Sequence, residues 1–249
     1  MATFATAAAL TLCFVPKVEA QVVKNVVIVH GAFADGSGWE TVSDLLRLDG
    51  FNVQVVQPPL TSLQEDVAAT QRVIDAMPGP SILVGHSYGG AVVTEAGTDP
   101  NVVGLVYIAA FIPDAGESAL TLATETPAAA VGDIELTADG QFLLFDEAKF
   151  PTDFATDVPE IHSQFMARSQ VLLSVEAFGT PITVPAWRTK PSWALVASND
   201  RVINPNQERA LAARAGSQTI TVASSHVAYI SHPIEVTTLI EAAAAGATP

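Results

Sequence analysis

Gly85-His86-Ser87-Tyr88-Gly89 is a G-x-S-x-G pentapeptide, and Gly90 follows it. Its central serine could attack a carbonyl carbon. A serine hydroxyl is a poor nucleophile until a neighbouring base removes its proton. His226, in Ser224-Ser225-His226, can supply that base. Asp200, in Ala197-Ser198-Asn199-Asp200-Arg201, can hold the imidazole in one tautomer and stabilise its charged form. Asp114, in Pro113-Asp114-Ala115-Gly116, is the rival acid, although its composition also suits a plain turn. The pattern Ser87, Asp200, His226 therefore points to acyl transfer by a serine triad.

Acyl transfer also needs donors for the negative oxygen of the tetrahedral intermediate, each worth about 3 kcal/mol of barrier. The N–H of Tyr88, next after the serine, is one candidate. The other comes from His30-Gly31-Ala32-Phe33, where Gly31 allows close backbone approach and the Ala32 N–H is the expected donor. The remaining histidines read as structural. His86 sits inside the motif and is expected to point away from a pocket, while His162 and His232 have surface or capping contexts. The five histidines show no HExxH spacing, and Cys13 stands alone, so neither a zinc motif nor an intrachain disulfide is written in the sequence.

These residues need elements to position them. Val26–Val29 is an uninterrupted β-branched run, the mark of a strand buried on both faces. A helical pattern from Gly36 to Asp49 is closed by Gly50. A strand over 53–56, a helix over 63–77 and a strand over 81–85 follow, the last running straight into Ser87. A helix over 88–97 and a strand over 102–109 complete the first half. The same rhythm resumes with a strand over 192–197, a helix over 206–215, a strand over 219–222 and a helix over 234–244. Such alternation predicts a parallel sheet with helices on both faces, its site at the C-terminal strand ends. Both Asp200 and His226 fall just beyond such ends. Residues 112–190 break the rhythm and read as a mostly helical insertion. Six phenylalanines lie there (Phe142, Phe145, Phe150, Phe154, Phe165, Phe178), either lining an apolar pocket or gluing the insertion down.

The chain has 249 residues, 49% of them hydrophobic, which suits one domain over residues 21–249. A formal charge of −15 argues against nucleic acid or an anionic membrane surface as partner. Residues 4–15 form an apolar run with a small residue, Ala20, at a cleavage-like position. That reads as a signal peptide over 1–20 and predicts a secreted or periplasmic protein, although no Lys or Arg precedes the run. Oligomeric state is not written in these features.

His30-Gly31-Ala32 with Gly38-Trp39, the 85–90 motif, Ala109-Ala110-Phe111-Ile112-Pro113-Asp114, Asn199-Asp200, and His226-Val227-Ala228 before His232-Pro233 together resemble the plant methylesterase and hydroxynitrile lyase branch of the α/β-hydrolases, and bacterial esterases similar to it. The resemblance covers 26–111 and 191–240. It implies the α/β-hydrolase fold, a mostly parallel doubly wound sheet of about six strands with a small helical cap at 112–190 after the fourth strand. It implies a cofactor-free enzyme, with Asp200 and His226 in the roles above and Ala32 and Tyr88 as oxyanion donors. The lyases of that branch carry a lysine after the histidine, where this chain has Val227. The expected activity is hydrolysis of small or medium apolar carboxylic esters through an acyl-enzyme. The alternatives are a lactonase, perhydrolase or hydroxynitrile-lyase-like reaction on the same residues, or ligand binding without catalysis.

Overall fold

The computed structural model describes residues 1–2 and 22–247. The signal-peptide reading of 1–20 lies almost entirely outside the described residues.

Six strands form one parallel sheet: β1 (Asn25–Val29), β2 (Asn52–Val56), β3 (Ser81–Ser87), β4 (Val102–Ala110), and, beyond an insertion, β8 (Ser192–Ala197) and β9 (Gln218–Val222). Their order is β2-β1-β3-β4-β8-β9. Helices pack on the faces: α1 (Glu40–Leu48), α2 (Leu63–Ala76), α3 (Gly89–Ala96), α7 (Pro205–Arg214) and α9 (Pro233–Gly246), with the short α8 (Ala228–Ser231) before α9. This is the expected α/β-hydrolase architecture. Every residue of β1 and β3 is buried, as β-branched and apolar runs require when helices cover both faces.

Local signals set the helix ends. Ser62 caps α2 by accepting from the Glu65 N–H at 3.2 Å, with Glu65 and Asp66 favourably placed against the helix dipole. Asn204 caps α7, whose first residue is Pro205. Gly50, at φ +79°, ends α1 in the left-handed conformation that glycine adopts without Cβ strain.

The chain reverses direction across the sheet between β1 and β3, which pair with Val29 opposite Gly85. Such a switch point opens a crevice at the carboxyl ends of its strands. The His30–Phe33 turn and Ser87 both emerge there.

The regular elements of the insertion are mostly helical, as expected, and it holds a small sheet as well. Alongside α4 (Ala119–Glu125), α5 (Glu160–Arg168) and α6 (Val175–Gly179) it holds an antiparallel sheet of β5 (Ile134–Leu136), β6 (Phe142–Phe145) and β7 (Leu173–Ser174). These strands have only 3, 4 and 2 residues. That is too short for an alternating pattern to register, and β7 is separated from its partner by α5.

Candidate active site

Ser87 ends β3 with φ +52°, in the left-handed region that a non-glycine residue occupies only under strain. The tight turn demands glycine around it. A Cβ on Gly85 would lie 2.6 Å from the Gly89 carbonyl oxygen, and one on Gly89 would lie 2.6 Å from that of Val29. Across the crevice, a Cβ on Gly31 would meet Ser87 Cβ at 2.7 Å, so the first turn can lie against the serine only as glycine.

His226 and Asp200 are both buried, and His226 Nδ1 lies 2.6 Å from Asp200 Oδ2. The other carboxylate oxygen, Oδ1, accepts the N–H groups of Val202 at 2.7 Å and Ile203 at 3.0 Å. Asp200 thus has donors on both oxygens. An acidic Oδ2 partner fixes the proton of His226 on Nδ1 and leaves Nε2 as the free base. Among the described residues Nε2 meets no hydrogen-bond partner. Nε2 thus makes no hydrogen bond with Ser87 here, and catalytic hydrogen bonds of this kind often tighten only in the substrate complex.

The N–H groups of Ala32 and Tyr88 donate to no protein acceptor among the described residues. The neighbouring Phe33, at φ +61°, instead donates its N–H to Val171 of the cap at 3.1 Å. That bond ties the turn to the insertion. Tyr88 is held from its far end, where its hydroxyl donates to Asp66 Oδ2 at 2.7 Å. Asp66 also accepts the Leu60 N–H at 2.7 Å. Burial raises the Asp66 carboxyl to about 6, against the pull of those two donors.

Ser87, Tyr88, Ala32 and Phe33 form part of the wall of a cavity of about 340 Å³. The rest is chiefly apolar, from Phe111, Leu143, Leu173 and Phe178, and no charged side chain lines it. Four of the six phenylalanines of the insertion divide between the two expected roles, while Phe165 is exposed. Phe178 lines the cavity and meets Phe111 edge to face. Phe145, Phe150 and Phe154 are fully buried and pack on one another, and Phe145 and Phe154 also pack on Phe33. Phe154 sets its edge against His226, with centroids 4.9 Å apart.

The rivals lie elsewhere. Asp114 pairs with Arg188 at 2.7 Å, and this hydrogen bond holds its carboxyl below the usual range. His86 is buried, and its Nε2–H donates to the His226 carbonyl at 2.9 Å. Burial and the neighbouring His226 push its basicity well down, so it is a neutral prop beneath the histidine loop. His162 lines a separate surface depression beside Asp35 and Phe165. His232 Nδ1 bonds Ser231 at 2.9 Å. Among the described residues no group of three or more His, Cys, Asp or Glu side chains could hold a metal ion. No helix among them is long and apolar enough to cross a membrane.

Four acids around this site carry no motif: Asp66, Asp153, Asp157 and Glu208. Asp153 and Asp157 reach the acid and histidine loops from the cap. Asp153 binds Arg201 Nε at 2.5 Å, next to Asp200. Burial opposes its charge, but the Arg201 bond and the Thr152 hydroxyl outweigh burial and keep it below the ordinary range.

A model of the alpha/beta hydrolase family matches residues 26–238. The chain belongs to this family. It is 32% identical over 114 residues to the carbendazim hydrolyzing esterase of Nocardioides sp. (strain SG-4G), a match spanning 39% of this chain and 46% of that protein. Among solved structures it resembles a pyrethroid hydrolase from Sphingobium faniae JZ-2, with a TM-score of 0.77, 22% identity and coverage of 90% of this chain and 98% of that one. Tomato methylketone synthase I, complexed with 2-tridecanone, superposes with a TM-score of 0.74 at 20% identity, covering 88% and 96%. Polyneuridine aldehyde esterase gives 0.74 at 16%, covering 88% and 98%. The chain spans less than half the length of the carbendazim hydrolyzing esterase that it matches. Its fold neighbours include both the plant methylesterase branch and bacterial hydrolases.

Proposed function

We propose that this hydrolase cleaves uncharged carboxylic esters of small or medium apolar chain through an acyl-enzyme on Ser87. The observation that carries the reading is the placement of Ser87, in a strained turn on the wall of an uncharged cavity that Ala32 and Tyr88 also line, their N–H groups meeting no protein acceptor among the described residues. In this mechanism Ser87 Oγ attacks the ester carbonyl and His226 Nε2 takes its proton. The new C–O bond places negative charge on the former carbonyl oxygen, between the N–H groups of Ala32 and Tyr88. Collapse breaks the bond to the leaving alcohol, which receives the proton from His226. Water, activated by the same imidazole, then hydrolyses the acyl-enzyme. Asp200 holds the tautomer throughout. The named esterase relative and the apolar cavity favour ester substrates, and no lysine follows His226 to hold cyanide.

Labelling with a fluorophosphonate probe, with the adduct located by mass spectrometry, tests the proposal. An adduct on Ser87 that is lost in His226→Ala, together with turnover of aryl esters, supports it. A folded protein that neither labels nor turns over esters rejects it in favour of a binding role.

A further inference from the structure

Glu208 stands in the first turn of α7, only eight positions beyond Asp200. Its side chain has no role in the mechanism above, yet it is 3% exposed, unusual for a glutamate. No arginine, lysine or histidine forms a salt bridge with it among the described residues; Arg209, next in the chain, lends only a weak attraction and bonds Asn206 instead. One oxygen, Oε2, accepts the Ala197 N–H at 3.0 Å. The other, Oε1, is buried without a donor. Its carboxyl lies within hydrogen-bonding reach of the Asp200 carboxylate.

Two buried carboxylates in contact cannot both be ionised without a large electrostatic penalty, and one of them holds a proton. The donors decide which. Asp200 receives two N–H groups and the His226 Nδ1–H, so its charge is well solvated by the protein. Glu208 receives one N–H. Burial, and then the charge of Asp200, push the Glu208 carboxyl well above its ordinary range.

We propose that Glu208 is a positioning residue: a neutral carboxylic acid whose O–H donates to Asp200, extending the line His226–Asp200 by one member. This inference rests on the reading of His226 as the base. The bond would fix the Asp200 rotamer and draw off part of its charge. Loss of that donor would leave more charge on Asp200, which favours the imidazolium over the neutral imidazole that acts as base.

Glutamine at 208 can reproduce both bonds, its carbonyl accepting from Ala197 and its amide N–H donating to Asp200. Alanine reproduces neither. The pH dependence of kcat/KM for an aryl ester therefore separates the cases. E208Q should keep a wild-type acid limb and kcat within about threefold, since the donor is retained. E208A should lose about tenfold in kcat at little cost in KM, with the acid limb moved to higher pH. An E208Q limb moved to lower pH would mean that a negative charge had been removed, and would overturn the proposal. Unmoved limbs in both variants would overturn it too. Infrared spectroscopy of the resting protein gives a readout free of turnover: a protonated-carboxyl C=O stretch present in wild type and missing in E208Q. Its absence from wild type rejects the neutral acid, even if E208A does not fold. If that band is present but no ester is turned over, the esterase reading has failed and the neutral Glu208 stands.

Discussion

Asp157, on the cap, accepts the backbone N–H of Ser225 at 2.8 Å and also its hydroxyl, one residue before His226. Four residues earlier in the cap, Asp153 holds Arg201, one residue after Asp200. Phe154, between these acids, packs on the His226 ring itself. One segment of the insertion therefore braces both loops that carry the proposed acid and base. Such bracing lowers the reorganisation needed at the moment of reaction. Asp157→Ala should leave the fold intact and lower kcat/KM for esters by about tenfold, the equivalent of one or two lost hydrogen bonds. Steady-state kinetics alongside thermal melting checks this. An unchanged kcat/KM would show that the histidine loop holds its position without the cap.

Asp200→Asn can accept the same N–H groups but presents a poor partner to Nδ1–H. The imidazole then loses its preferred tautomer, and kcat should fall by about 1,000-fold or more. Asp114→Asn, which touches the Arg188 pair and the Ala115 N–H, should change kcat less than about twofold. The two variants measured side by side discriminate between the acids.

Stability should respond to Asp66 with a definite sign. Its folded carboxyl titrates at about 6, above its ordinary value of 3.8, so the folded state binds that proton more tightly than the unfolded chain. The stability it contributes is fully present below pH 4 and is lost as pH rises through 6. Asp66→Asn removes this loss. Urea unfolding should find the variant more stable than wild type at pH 7, by roughly 1–3 kcal/mol relative to the difference at pH 4. A pH-independent difference would place the Asp66 titration outside this range.

Gly90, the second residue of α3, lies against the end of β4, where a Cβ would fall 2.1 Å from the Phe111 carbonyl oxygen. The Phe111 carbonyl and the Ala110 Cβ leave no room for it. Gly90→Ala should cost about 3 kcal/mol in denaturant unfolding, and more if the elbow cannot shift.

The cavity should set chain-length preference. Ala123 lines it from α4. Ala123→Trp should reduce kcat/KM for octanoate esters by about tenfold or more while altering acetate esters little, measured on one alcohol series. Equal losses on both would mean that the acyl chain lies elsewhere.

The sequence by itself determined the chain order of strands and helices in the sheet, and it singled out Ser87 and His226 among the residues proposed for catalysis. It could do so because buried parallel strands are written as unbroken apolar runs, and because a turn as tight as that at Ser87 admits only glycine at Gly85 and Gly89. These are local constraints, legible within a few residues. The choice between Asp200 and Asp114 was not local. In the fold Asp200, 26 positions away, meets His226 Nδ1, while Asp114 pairs with Arg188. Asp66, Asp153, Asp157 and Glu208 left no signal, since an isolated acid reads as surface until the fold shows what it faces. The cap sheet was hidden for the same reason: β6 and β7 are joined by pairing across distant sequence, and strands of so few residues have no period of their own. Partners brought together over long loops are chosen by packing, and only the tertiary structure decides them.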